Sequence, residues 1–165
     1  MSNREILIKE LGLLPHPEGG FYAETYRDAG TIPKAVLPDR FAGDRNYSTA
    51  ILFLLSKGEH SRLHRIASDE VWHFYAGDPL VVLEISPSGQ LKETRLGQNV
   101  LAGDRLQHVV PAGAWFGAYP AAGSEYCLVG ATVAPGFDFA DFELAEAERL
   151  EAEFPEHKDV IRRLC

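Results

Sequence analysis

The stretch Gly58-Glu59-His60-Ser61-Arg62-Leu63-His64-Arg65-Ile66-Ala67-Ser68-Asp69-Glu70-Val71-Trp72-His73-Phe74-Tyr75-Ala76-Gly77 decides how this chain folds. Two runs inside it, 62–66 and 70–75, read as short strands separated by a polar turn. Strand alternation puts Arg62 and His64 on one face of the first run and Glu70, Trp72 and Phe74 on one face of the second. His73 and Tyr75 then point the other way, into a sheet or dimer contact. His60 shares the His64 face if the first strand reaches that far.

The same punctuated pattern continues on both sides. Strands are predicted over 21–27, 48–56, 80–85, 91–96, 107–110, 114–119 and 126–132, with Pro87-Ser88-Gly89 and Ala76-Gly77-Asp78-Pro79 as turns. Along 21–27, alternation sends Phe21, Ala23 and Thr25 one way and Tyr22, Glu24 and Tyr26 the other. Many short strands with regular Gly and Pro breaks mean a sandwich or barrel. A helix is expected over 3–14, ended by Pro15 and Pro17 before the Gly19-Gly20 turn. The 28–46 segment reads as an irregular excursion. Helical periodicity over 140–153 and 156–164 predicts two C-terminal helices packed outside the barrel.

The chain has 165 residues, 45% hydrophobic and 24% charged, which suits one globular domain over 1–165. Its net charge of −8 lacks the basic footprint of a nucleic-acid binder. No apolar run reaches membrane-spanning length, and no signal core opens the chain. Two cysteines make no disulfide framework: Cys127 reads as a buried, inert thiol and Cys165 as an exposed terminal one. A cytoplasmic protein is expected.

The 58–77 stretch resembles the first conserved motif of the cupin superfamily, Gly-x5-His-x-His-x3,4-Glu-x6-Gly, with Gly58, His64, Glu70 and Gly77 in place and Ile66 at the second histidine. The second motif, Gly-x5-Pro-x-Gly-x2-His-x3-Asn, is matched at Pro111-Ala112-Gly113. Seven residues separate Gly103 from Pro111 where the pattern has five, Phe116 replaces the histidine, and Pro120 replaces the asparagine. Four blocks are similar to the cupin-5 family, a domain of unknown function. They begin at His16-Pro17-Glu18-Gly19-Gly20-Phe21, Asp69-Glu70-Val71-Trp72, Val110-Pro111-Ala112-Gly113 and Ala134-Pro135-Gly136-Phe137. The resemblance implies an all-β double-stranded β-helix, or jelly roll, and a homodimer.

A cupin metal site uses three histidines and one glutamate, and only His64 and Glu70 remain here. Two donors hold a divalent metal weakly, so no cofactor is expected. Without metal, His64 and Glu70 form a candidate acid–base pair. Glu24 and Tyr26 are candidate ligand-binding residues on the 21–27 strand, with a Glu24 pair to Arg27 or Arg62 as the structural alternative. Arg62 suits an anionic group. Trp72, Phe74, Trp115 and Phe116 can supply aromatic faces, and Gln107 an inward amide, each with an ordinary core role as the alternative.

Three functions stay open: a metal-free sugar or keto-acid isomerase or epimerase, a non-catalytic small-ligand binding or sensing protein, and a metal-dependent enzyme such as a dioxygenase with a reduced ligand set. The first has His64 abstracting a proton beside a carbonyl, with Glu70 orienting it. The expected partner is a small, sugar-like molecule.

Overall fold

A computed structural model describes residues 2–165. The chain enters through α1 (Asn3–Glu10), which a reciprocal Ser2–Glu5 capping box starts. Then come β1 (Leu14–Pro15), β2 (Phe21–Arg27), β3 (Thr31–Ile32), β4 (Arg45–Asn46), β5 (Thr49–Ser56), β6 (Ser61–Arg65), β7 (Asp69–Gly77) and β8 (Leu80–Ile85). After these follow β9 (Leu91–Leu96), β10 (Gln107–Val110), β11 (Trp115–Pro120), β12 (Tyr126–Ala134), β13 (Glu143–Leu144), α2 (Ala147–Glu153) and α3 (Lys158–Leu164).

Two antiparallel sheets face each other, ordered β1-β2-β5-β12-β7-β10 and β13-β6-β11-β8-β9. This is the jelly roll that the cupin resemblance implies, and it falls within the sandwich or barrel class expected from the strand pattern. Phe53, Leu55, Trp72, Val82, Phe116 and Val129 fill the space between them, each burial contributing about 1.5–3 kcal/mol. The outer face of the second sheet is covered by the C-terminal helices, whose Leu150, Ile161 and Leu164 pack on Leu63, Leu83 and Trp115. On the first sheet, α1 lays Leu7, Ile8 and Leu11 over Leu54 and Leu128. Among the described residues no helix is long and apolar enough to cross a membrane.

The predicted helix over 140–153 is corrected in its first half. A 3₁₀ turn at Phe139–Asp141 leads into β13, which pairs with β6 through Glu143↔Arg65 and Leu144↔His64. The free edge of β6 supplies backbone partners that a helix would leave unpaired. Asp141 fixes this segment by accepting two hydrogen bonds from Arg45, at 2.7 and 2.6 Å, both side chains buried.

Bulges interrupt strict alternation. Ala118 and Phe116 on β11 face Ser61 and His64 on β6, so two steps on one strand span three on the other. Ser61 and His64 therefore share the inner face and Arg62 does not. Gly117 permits this crossing, because a Cβ there would stand 2.7 Å from the Ser61 carbonyl oxygen. A second register shift, between Glu24 and Tyr26 on β2, turns Tyr26 outward and brings Arg27 inward.

Candidate functional site

The cavity lies between the two sheets, at the end where β13 and the preceding aromatic segment cross the barrel. One wall comes from the loop joining β1 to β2. Gly20 turns it with a φ of +71°, in the left-handed region that glycine adopts freely. Gly19 passes directly against the His60 carbonyl, where a Cβ would collide. The Arg62 N–H then donates to the Glu18 carbonyl at 2.7 Å, clamping the loop onto β6.

That clamp brings the Glu18 carboxylate to the inner face of the β6 bulge. Ser61 Oγ donates to Glu18 Oε1 at 2.8 Å, and His64 Nε2 lies 3.0 Å from Oε2. His64 Nδ1 faces the Arg62 carbonyl oxygen at 2.7 Å. Both ring nitrogens meet acceptors, an arrangement that assigns protons to both and makes the ring an imidazolium. Burial is the largest single influence and opposes that charge, but the charge and hydrogen bond of Glu18, with Glu70 and the Arg62 carbonyl, together outweigh it and raise the His64 pKa. For Glu18, burial is again the largest single influence, but the charge and hydrogen bond of His64 together with His16 and Ser61 outweigh it and hold the carboxyl below its usual range.

Glu70 is the opposite case. It is 8% exposed, and none of the hydrogen bonds among the described residues engages its carboxyl. Ile66, Ala131 and Val133 line the same cavity. Burial pushes the Glu70 pKa up to about 8; His64 opposes the rise and the Glu18 charge adds to it. The acid is predominantly protonated at neutral pH.

His16 completes the interior. Its Nδ1 accepts from the Glu18 N–H at 3.1 Å, which leaves the ring proton on Nε2. Burial lowers its pKa against the pull of Glu18, and His64 lowers it further, so the ring is neutral. Tyr22 meets it edge-on at 4.5 Å. At the rim, Arg27 donates to both oxygens of Glu24, to Asn46 Oδ1 at 2.7 Å and to the Phe137 carbonyl at 3.0 Å. Phe137, Phe139 and Phe142 close the mouth around a space of about 220 Å³.

Among the residues singled out from sequence, His64, Glu70 and Glu24 line this cavity. Trp72 and Phe116 stand behind the lining, meeting edge to face at 6.3 Å, with Phe116 against the His64 ring at 4.1 Å. Five expected lining residues are elsewhere. Tyr26 points to solvent and donates to Asp28. Arg62 lies outside the bulge, where its charge acts on His60 and Cys165. Phe74 packs within the apolar core. Gln107 is outside, 3.1 Å from His73, because Val110 and His108 take the inward positions of β10. Trp115 faces the C-terminal helices with the Arg65 guanidinium 4.4 Å above its ring, since two neighbours on a strand cannot both face in. His60 precedes β6 and contributes no side chain to the lining. Cys127 is buried with its thiol pushed up to about 12 by burial, while Cys165 is half-buried rather than exposed.

Sequence reasoning missed His16 and Glu18 as site residues, and Arg27 and the phenylalanines as lining. The available signal was the pair of polar side chains immediately before Gly19-Gly20, a turn tight enough to press them onto a neighbouring strand.

The family model described as Cupin superfamily (DUF985) matches residues 5–145. The chain belongs to this cupin family. Protein SO0799 from Shewanella oneidensis, known from a crystal structure, superposes with a TM-score of 0.86 and is 42% identical, covering 99% of this chain and 98% of that one. A hypothetical protein from Leishmania major gives 0.88 at 36% identity, over 98% and 97% of the two chains. The uncharacterized protein YML079W of Saccharomyces cerevisiae is 29% identical over 156 residues, 89% of this chain and 77% of its own.

The metal site associated with cupins does not fit the residues present. Ile66 and Phe116 occupy two ligand positions, both nitrogens of His64 are engaged, and among the described residues no three His, Cys, Asp or Glu groups are placed to hold an ion.

Proposed function

We propose that this cupin is a metal-free isomerase or epimerase of a small sugar or keto acid, with Glu70 carrying the proton. The observation that supports this most is the unpartnered, buried Glu70 carboxyl facing a cavity, with a pKa of about 8. A general acid–base works best when its pKa lies near the operating pH. The ionised fraction of Glu70 takes a proton from the carbon beside the ligand carbonyl, and the electron pair moves to the carbonyl oxygen. The His16 Nε2–H and the His64 charge stabilise that oxyanion. Glu70 then returns the proton to the former carbonyl carbon, while the hydroxyl proton on the carbon that was deprotonated passes to the oxyanion, so that its C–O becomes the new carbonyl. His64 is a positioning and electrostatic residue in this scheme, because both its nitrogens are already engaged. This exchanges the roles that sequence reasoning assigned to His64 and Glu70.

The test is proton exchange in D₂O, followed by NMR on a panel of aldoses, ketoses and 2-keto acids. The wild type should wash out the hydrogen beside the carbonyl, and Glu70→Gln should slow exchange by at least about 100-fold. Binding without exchange for every ligand would instead support a non-catalytic binding protein, a reading favoured by the closed hydrogen bonding of the Glu18–His64 pair.

We also infer a homodimer through the outer face of β7 and β10. Tyr75, Leu106 and Val109 are each about half exposed there, beside an edge strand that a partner would protect. A monomer in sedimentation at micromolar concentration would contradict it.

A further inference from the structure

The cavity contains a charge arrangement that bears on which ligands it accepts. Arg27 is the one guanidinium or ammonium group among its described lining residues. All three of its nitrogens already donate: Nε and Nη2 to Glu24, Nη1 to Asn46, and Nη2 also to the Phe137 carbonyl. The imidazolium of His64 is likewise engaged by Glu18 and the Arg62 carbonyl. One Nη1 N–H of Arg27 is the only cationic donor left open among the described lining residues, and both positive charges are already offset, by Glu24 and by Glu18. An incoming carboxylate or phosphate would therefore enter a space already holding Glu18, Glu24 and Glu70 with little to balance its charge. Burying an anion without a partner is strongly unfavourable.

The remaining groups point to a different ligand. Glu18, Glu24 and the Tyr22 hydroxyl can accept hydrogen bonds, and the Glu70 carboxyl has no partner in the protein. Such a lining is satisfied by several hydroxyls and one carbonyl oxygen. Tyr22, Phe137 and Phe142 add aromatic surface suited to the C–H face of a ring. The volume of about 220 Å³ lies below the roughly 300–1,000 Å³ of drug-sized pockets and suits a single small ring.

We propose that the cavity selects uncharged, polyhydroxylated carbonyl compounds of monosaccharide size and rejects their carboxylate and phosphate counterparts. This rests on the reading of the cavity as a ligand site, and it narrows the two substrate classes above to neutral sugars. Glu24 is the specificity-determining residue, because it neutralises Arg27.

Matched pairs of probes test it by ligand-observed NMR and calorimetry: D-xylose against D-xylonate, D-glucose against D-glucuronate and D-glucosamine, and hydroxyacetone against pyruvate. At least one neutral member should bind at millimolar concentration, and its charged counterparts at least about tenfold more weakly. Glu24→Gln, at a half-exposed rim position, should release Arg27 and shrink that preference against the acid. Tighter binding of an acid or of the amine in the wild type, or no binding by any neutral probe, overturns the selectivity. An unchanged preference in folded Glu24→Gln removes Glu24 from it. Acids that bind and exchange would leave the isomerase reading standing, whereas neutral sugars that bind without exchange would end that reading and leave the selectivity intact.

Discussion

Among the described residues, two histidine–glutamate side-chain pairs meet at hydrogen-bond distance in the barrel interior, one on each side of the Trp72–Phe116 contact. Cross-strand pairing puts Phe116 between His64 on β6 and Glu84 on β8, and Trp72 between Ala131 on β12 and His108 on β10. On one side, Glu18 meets His64 at 3.0 Å; on the other, His108 Nε2 meets Glu84 Oε2 at 2.6 Å, with the Lys92 ammonium 3.9 Å from the same carboxylate. By geometry alone the second pair is at least as tight. Only the first stands beside an unpartnered acid in an aromatic-mouthed cavity. The lesson is that a buried His–Glu contact does not by itself mark a site. The marker is the neighbouring group left without a partner, Glu70, and the fixed charges that act on it. Phe116, at a position where cupins place a histidine ligand, serves here as the divider between the two compartments.

Breaking the comparison should give its largest effect at Glu70. Glu70→Gln should reduce proton exchange by at least about 100-fold, while Glu84→Gln should leave it within about twofold in the same NMR assay. Equal losses in both would erase the distinction between the two sides. Phe116→Ala removes part of the divider and should destabilise the fold by about 3–5 kcal/mol in urea titration. A loss under about 1 kcal/mol would mean that the wall is not close-packed.

Removing one partner of the buried pair should cost nearly as much. Glu18→Gln leaves the His64 charge with a weaker acceptor and should lower stability by roughly 3 kcal/mol at neutral pH. The pair itself has a bounded pH window. The lowered Glu18 pKa contributes stability that is lost as pH falls through its folded value, and the raised His64 pKa contributes stability lost as pH rises through its own. Glu18→Gln should flatten both limbs in thermal melts.

A further slope belongs to Glu70. Its raised pKa means that the native state holds a proton the unfolded chain releases above the ordinary value of 4.5. Stability should therefore fall as pH rises from there to about 8. Glu70→Gln should remove that decline; an identical slope in the variant would refute it.

Much of the fold was legible because hairpin punctuation is local. The expected bounds of β2, β8, β9 and β10 match the observed strands, each set off by Gly, Pro or Asn. A sandwich or barrel followed from their number and spacing, and the resemblance to cupins narrowed it to a jelly roll. The site was less legible, for two physical reasons. Bulges in β2 and β6 reverse side-chain parity after a single extra residue, so Tyr26 and Arg62 left the cavity and Arg27 entered it. His16 and Glu18 lie in a loop, where no periodicity assigns a face, and only the long-range backbone bond between Arg62 and Glu18 brings them to His64. The segment 140–146 has helical spacing, yet it continues a 3₁₀ turn and then gives Glu143 and Leu144 to the open edge of β6 as a two-residue strand.

The most direct test of the account is a titration of the Glu70 side-chain carboxyl by ¹³C NMR, assigned by its absence in Glu70→Gln. The expected midpoint is near 8, with the Glu18 signal titrating below the ordinary carboxylate range. A Glu70 midpoint near 4.5, the ordinary glutamate value, would contradict it and remove the proton carrier from the proposed chemistry.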